Sequence, residues 1–255
     1  MRYIDLNSDV GEGFGQYNSF EKNELYNTIT SANIACGYHS GDPNIMDYTC
    51  GLCNKAMVEI GAHPGFPDLL GFGRRKMDVS FNEAANYCLY QLGALNAIAK
   101  THKKKIQHLK LHGAFYNMVM KDYKLSQYII KRVKELDNNL IFLGLSNSNF
   151  ISACKEEKVR VANEIFADRA YDKDGNLVSR KIPGAVIIDK TKAIDQVKNI
   201  VLYGEVKTIE GSKVKLNTDS ICIHGDNKEA LDFAQEIRRV LEGEGVIFKP
   251  LKSFV

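Results

Sequence analysis

The sequence predicts an α/β chain closed into a (β/α)7-type irregular barrel, one domain over residues 1–255. Strand-like and helix-like segments alternate almost throughout, as parallel strands joined by crossover helices do. Several strands carry polar groups on one face only, as with Asp5 and Asn7 opposite Ile4 and Leu6. A doubly wound sheet is covered on both faces and is usually apolar on both. A barrel interior can turn polar toward the C-terminal mouth, where barrel enzymes build their sites. Four of the six histidines, His39, His63, His112 and His224, follow strand-like runs. Imidazole moves protons near neutral pH and binds metals, so its repetition at strand ends points to one shared pocket.

The strands are expected near residues 3–7, 32–35, 59–62, 108–111, 140–145, 160–164 and 220–223. In the fourth, period-2 spacing aims His108, Lys110 and His112 away from Leu109 and Leu111. A helix is expected from Ser80, an N-cap with Glu83 three residues on, to about Lys100. Asp42 followed by Pro43 reads as another helix start. From Asp226, a further N-cap, Ala230, Phe233, Ala234, Ile237 and Leu241 recur at helical spacing. Residues 204–216 instead alternate around Glu210-Gly211-Ser212, which predicts a small inserted β-hairpin.

Composition excludes several classes. Hydrophobic residues make up 44% and charged residues 25%, a globular balance. A net charge of +3, with no recognition-helix or aromatic–basic pattern, gives no support for a nucleic-acid partner. Met1-Arg2-Tyr3-Ile4-Asp5 has no apolar signal region, and no apolar run approaches membrane-spanning length. The six scattered cysteines then read as reduced thiols in a cytoplasmic protein. Cys50-Gly51-Leu52-Cys53 is a lone pair without the second pair a zinc site needs, so it reads as buried thiols on a helix. There is no P-loop, nucleophile elbow or H-E-x-x-H motif.

The candidate site residues cluster after the strands. Asp5-Leu6-Asn7-Ser8-Asp9-Val10-Gly11-Glu12 supplies Asn7, Asp9 and Glu12, groups that accept protons, hold cations or orient histidines. Cys36-Gly37-Tyr38-His39-Ser40-Gly41-Asp42 supplies His39 and Asp42. His63 opens a proline-stiffened loop that continues to Arg74 and Arg75, either of which can clamp an anion. Lys110 pointing into a barrel requires an anion or a carboxylate such as Asp9. His108 lies deeper and reads as a satisfied core residue, with His112 nearer the mouth. Glu164, Arg169 and His224 complete the set, and Asp172-Lys173-Asp174-Gly175-Asn176 is a plain turn.

These segments, with Phe166-Ala167-Asp168-Arg169 and His224-Gly225-Asp226, resemble the LamB/YcsF family in order along the chain. Leu111, Phe115 and Tyr38 depart from its usual proline, leucine and phenylalanine. The resemblance implies an irregular barrel related to the glycoside hydrolase/deacetylase barrels. It also implies ATP-dependent opening of 5-oxoproline (pyroglutamate) to L-glutamate, with PxpB-like and PxpC-like partner subunits that help handle ATP. Under that reading Asp9, Glu12, His39 and His63 activate water or orient the lactam, and His112 protonates the leaving nitrogen. Lys110 or Arg169 binds the substrate carboxylate, with Asn7, Asp42, Glu164 and His224 as further binding residues. The alternative is a metal-dependent deacetylase-like hydrolase of carbohydrate or amide substrates, with Asp9, His39 and His63 as ligands. Whether a divalent metal is bound is left open.

Overall fold

A computed structural model describes residues 1–17, 23–224 and 230–255. Its frame is β1 (Arg2–Val10), β2 (Ser31–Ala35), β3 (Glu59–His63), β4 (Ile106–Leu109), β5 (Ile141–Leu145), β6 (Val161–Phe166) and β9 (Ser220–His224). Each pairs in parallel with the next, β9 follows β6, and β1 pairs with both β2 and β9. Seven strands therefore close on themselves, which leaves no edge within the ring.

The helices are α1 (Pro43–Lys55), α2 (Phe81–Thr101), α3 (Gly113–Lys121), α4 (Tyr123–Leu136), α5 (Asn149–Glu156), α6 (Lys190–Tyr203) and α7 (Ala230–Gly243). The Ser80–Glu83 capping box forms in full at the start of α2. Asp42 caps α1 by accepting from the Asn44 and Ile45 amides, with Pro43 in the first turn. On α7, Ala230, Ala234, Ile237 and Leu241 are buried as their spacing requires. The Asp226 cap lies outside the described residues.

The expected hairpin is present as β7 (Glu205–Lys207) and β8 (Lys213–Lys215), paired antiparallel around Val206 and Val214. All six cysteines are buried and unbridged, with Cys50 and Cys53 on the inner face of α1. One strand expectation shifts, and one strand was not expected. The fourth strand is assigned to 106–109, although Lys110 and His112 still donate their amides to the Ala62 and Pro64 carbonyls. That continued pairing preserves the alternation past the strand end. A further strand, β10 (Val246–Phe248), pairs with Arg2, Tyr3 and Ile4 of β1, below its junction with β9. Three residues carry too short an alternation to be seen in sequence.

The bottom of the barrel is polar. The Asp5 carboxylate accepts from Thr30 and Ser31 at 2.6 Å each and from the Ser220 hydroxyl. Burial pushes its pKa up to about 6, and the three hydroxyls offset this only in part. A folded pKa above the unfolded value of 3.8 means that the folded chain holds this proton more tightly. Stability is then lost as pH rises through the window from 3.8 to about 6. Asp5 is expected to cost about 3 kcal/mol of unfolding free energy once ionised. Chemical denaturation of wild type and Asp5→Asn between pH 4 and pH 7 checks this, because the variant loses that part of the slope.

Candidate active site

Above Asp5 the interior rises in layers. Asn7 donates to Ser220 at 2.7 Å, and Asn33 donates to Asn7 Oδ1 and Asp9 Oδ1 at 2.7 and 2.8 Å. His108 Nε2 donates to Asn33 Oδ1 at 2.6 Å, and Gln107 donates to its Nδ1 at 3.1 Å. Burial first, then the Lys110 charge, lowers the His108 pKa to about 3, so it is a satisfied neutral core histidine as expected. Its ring lies against Gly61, where an added Cβ would sit 2.0 Å from Nε2. A side chain at 61 would exclude the ring and unseat Asn33.

Lys110 fills the next layer. Its ammonium donates to Asp9 Oδ1 at 2.8 Å, Cys222 Sγ at 2.9 Å and Asn7 Oδ1 at 3.2 Å. Glu164 Oε1 lies 2.9 Å away as an ion-pair partner. Tyr116 donates to the other Glu164 oxygen at 3.1 Å. Burial alone would lower the lysine pKa. Asp9, Cys222 and Glu164 outweigh it and hold the ammonium well above its ordinary range.

At the mouth, the end of β3 and the segments after β1, β2 and β4 bring His63, Glu12, His39 and His112 together, one donor atom from each within 4.8 Å of all the others. Gly41 donates its amide to the Gly13 carbonyl at 2.7 Å, which ties the His39 loop to the Glu12 loop. His39 Nε2 is 3.1 Å from Glu12 Oε1, and the His39 ring stacks on His112 with centroids 3.7 Å apart. His63 Nε2 lies 3.0 Å from His112 Nδ1 and 3.4 Å from Asp9 Oδ2. Burial first, then neighbouring histidine charge, pushes both His39 and His112 well below the usual imidazole range. The stack needs the glycine at 73, since a Cβ there would lie 2.7 Å from His39 Cβ and 2.9 Å from His112 Cδ2.

A cavity of about 490 Å³ opens onto this centre. Asp9, Glu12, His63, Lys110 and His112 lie at its polar end, while Arg74, Lys121, Arg169, Arg180 and Lys181 give it a basic wall. The volume falls within the usual range for small-molecule sites. Arg169 is held by donating to the Val178 carbonyl at 2.6 Å and, more weakly, to Ala185 at 3.4 Å.

Four expected residues stand outside the cavity wall. His39 is fully buried behind Glu12 and His112, which it contacts. Asn7 and Glu164 lie beneath the cavity as supports for Lys110. Asp42 caps α1, also accepts from the Gly15 amide at 2.8 Å and does not line the cavity. His224 ends β9 opposite Asp9 in register, but its side chain lies outside the described residues. Arg75 pairs with Asp68, whereas Arg74 lies over the Phe72 ring and lines the cavity. Sequence reasoning missed Tyr116, Arg180 and Lys181 as parts of the site. Tyr116 had a signal, since it lies one helical turn after His112. Arg180 and Lys181 had none, because an irregular segment places them.

Fold and site together define a parallel α/β barrel with a buried histidine–carboxylate centre at the C-terminal ends of its strands. The chain belongs to the LamB/YcsF family, which it matches over residues 4–255. It is 50% identical over 255 residues to the 5-oxoprolinase A subunit of Campylobacter jejuni subsp. jejuni, with 100% of each chain covered. A protein of the same name from Pyrococcus abyssi is 49% identical over 252 residues, 99% of each. The crystal structure of the lactam utilization protein from Thermus thermophilus superposes with a TM-score of 0.91 at 36% identity, covering 98% of this chain and 99% of that one. Among the described residues, no helix is long and apolar enough to cross a membrane.

Removing the ammonium would leave Asp9 and Glu164 buried without their counter-charge. Lys110→Met, which keeps the stem volume, is expected to destabilise the chain by roughly 3–5 kcal/mol in urea denaturation at neutral pH.

Proposed function

We infer that this chain is the lactam-binding subunit of an ATP-dependent 5-oxoprolinase, which hydrolyses 5-oxoproline to L-glutamate together with PxpB-like and PxpC-like subunits. The observation that carries this reading is the cavity, which joins a carboxylate–histidine end to a basic wall in one small-molecule volume. The full-length likeness to 5-oxoprolinase A subunits supplies the substrate class.

The lactam is resonance-stabilised and unstrained, so its opening needs energetic coupling. Phosphorylation of the lactam oxygen at the expense of ATP, handled with the partner subunits, makes the carbonyl carbon a better electrophile. A first water then adds to that carbon, the ring C–N bond breaks as the nitrogen takes a proton, and a second water hydrolyses the resulting γ-glutamyl phosphate to L-glutamate and phosphate. Asp9 and Glu12 line the cavity and are the bases placed to take a proton from water. His63 Nε2 lies 3.4 Å from Asp9 and His39 Nε2 lies 3.1 Å from Glu12, so both rings border these carboxylates. His112 Nε2 donates to the Phe72 carbonyl at 2.9 Å, so its Nδ1 carries no proton in the neutral ring, and the proton for the leaving nitrogen is returned by a carboxylate, with Glu12 3.4 Å from that Nδ1.

Lys110 has its donors committed inside the barrel. Arg169 retains further guanidinium donors on the cavity wall, so it is assigned the substrate carboxylate. The basic wall also suits a phosphoryl group, and the chain has no P-loop of its own.

Glutamate formation from 5-oxoproline is expected only when the chain, both partner subunits and ATP are present together. Asp9→Asn or His63→Ala, confirmed as folded, is expected to lose about 100-fold or more in kcat. Retention of full activity by either variant overturns its assignment. Arg169→Ala is expected to raise KM for 5-oxoproline roughly tenfold or more, with a smaller change in kcat. Steady-state kinetics of the reconstituted complex measures both.

A further inference from the structure

Two hydrogen bonds to backbone carbonyls fix the protons at the barrel mouth. His63 Nδ1 lies 2.8 Å from the Lys110 carbonyl oxygen, and His112 Nε2 lies 2.9 Å from the Phe72 carbonyl oxygen. A carbonyl only accepts, so each of these nitrogens carries a hydrogen. In a neutral imidazole the other nitrogen then holds a bare lone pair. Those other nitrogens, His63 Nε2 and His112 Nδ1, face each other at 3.0 Å. Carboxylate oxygens surround the same point, with Glu12 Oε1 at 3.4 Å from His112 Nδ1 and Asp9 Oδ2 at 3.4 Å from His63 Nε2. His39 Nε2 closes the group at 3.1 Å from Glu12 Oε1.

Acceptors converge here, and a cation between them removes their mutual repulsion. The spacing also fits one. A tetrahedral zinc with bonds of about 2.0–2.1 Å sets its ligand atoms about 3.3–3.4 Å apart. Separations within this donor set include 3.0, 3.1 and 3.4 Å, and no pair exceeds 4.8 Å. The backbone carbonyls behind His63 and His112 are the outer-shell partners that metal-bound histidines use to fix tautomer and ring orientation. His39, His63 and His112 are all buried, so the rings are already held in place before any ligand arrives.

We propose that Glu12, His39, His63 and His112 form a binding site for one divalent transition-metal ion, of the zinc, cobalt or nickel kind. Three imidazoles and one carboxylate select such ions over magnesium or calcium, which favour all-oxygen shells. Asp9, a ligand only under the deacetylase-like alternative, stands beside this donor set rather than within it, and its Oδ1 accepts from Lys110. Bound there, the ion would supply Lewis acidity at the polar end of the cavity. The site rests on side-chain geometry alone and stands whichever substrate the cavity takes.

The test uses the full-length chain without substrate or partner subunits. Chelator-treated protein is titrated with Co²⁺ and followed by its visible d–d absorption, with bound metal counted by elemental analysis after dialysis. Saturation at one ion per chain is expected, with competition by Zn²⁺. His112→Ala and Glu12→Gln are each expected to weaken binding roughly 100-fold, while His102→Ala, at an exposed pair with Asp47, leaves it unchanged. Absence of saturable Co²⁺ uptake by the folded wild type overturns the proposal by itself, even if a histidine variant fails to fold. Wild-type affinity in Glu12→Gln and His112→Ala also overturns it. Neither result bears on 5-oxoproline turnover, which is measured separately.

Discussion

An ammonium buried inside a barrel has no water to share its charge, so the interior around Lys110 must supply what water would. Asp9 and Glu164 provide the counter-charge, and Asn7 and Cys222 take the remaining hydrogens. These partners come from β1, β6 and β9, so one cation ties together strands that meet only when the barrel closes. The pairing also fixes Asp9. With one oxygen held by Lys110 and Asn33, its other oxygen is directed toward His63. The reactive end of the site thus inherits its geometry from the layer beneath it.

The lower layers serve the same purpose. Asp5, Ser31, Ser220 and Gln107 close the base, and Asn7, Asn33 and His108 carry hydrogen bonds upward to Asp9. An apolar filling would pack equally well, but it would not orient a carboxylate at the mouth. Polar networks in a low-dielectric interior are costly when incomplete and rigid when complete. Here the groups of each layer partner those of the next, which holds the side chains above in one arrangement. Glycines at 61 and 73 make room for the rings that lie in this stack.

Much of this was legible in the sequence, for identifiable reasons. Period-2 alternation exposed the one-faced polarity of β1 and β4, and that polarity argued for a closed barrel and for a paired Lys110. The Ser80–Glu83 box and the 204–216 hairpin are local signals and appear where expected. What the sequence hid depends on long-range contact. Asp42 and Glu12 look alike as loop acids, yet one caps α1 and the other meets His39 and His112. The difference arises because the Gly41 amide bonds to the Gly13 carbonyl and folds one loop over the other. Arg74 and Arg75 are likewise adjacent and chemically identical, yet Arg75 pairs with Asp68 while Arg74 lies over the Phe72 ring and lines the cavity.

The fixed tautomers alter how the histidines can work. A histidine acting as general acid–base must expose one nitrogen to the substrate and anchor the other. His63 and His112 each anchor one nitrogen on a backbone carbonyl, but their second nitrogens point at each other. Each blocks the other from acting alone on a ligand in the cavity. Burial and neighbouring histidine charge also keep His39 and His112 neutral well below neutral pH, which suits electron-pair donors better than proton carriers. Proton transfer then falls to the carboxylates. Asp9 is the stronger candidate because it lines the cavity while remaining outside the converging donor set. The histidines at the strand ends are in this view a scaffold that concentrates lone pairs, and under the proposed hydrolysis Asp9, oriented by Lys110, is the group assigned to move a proton.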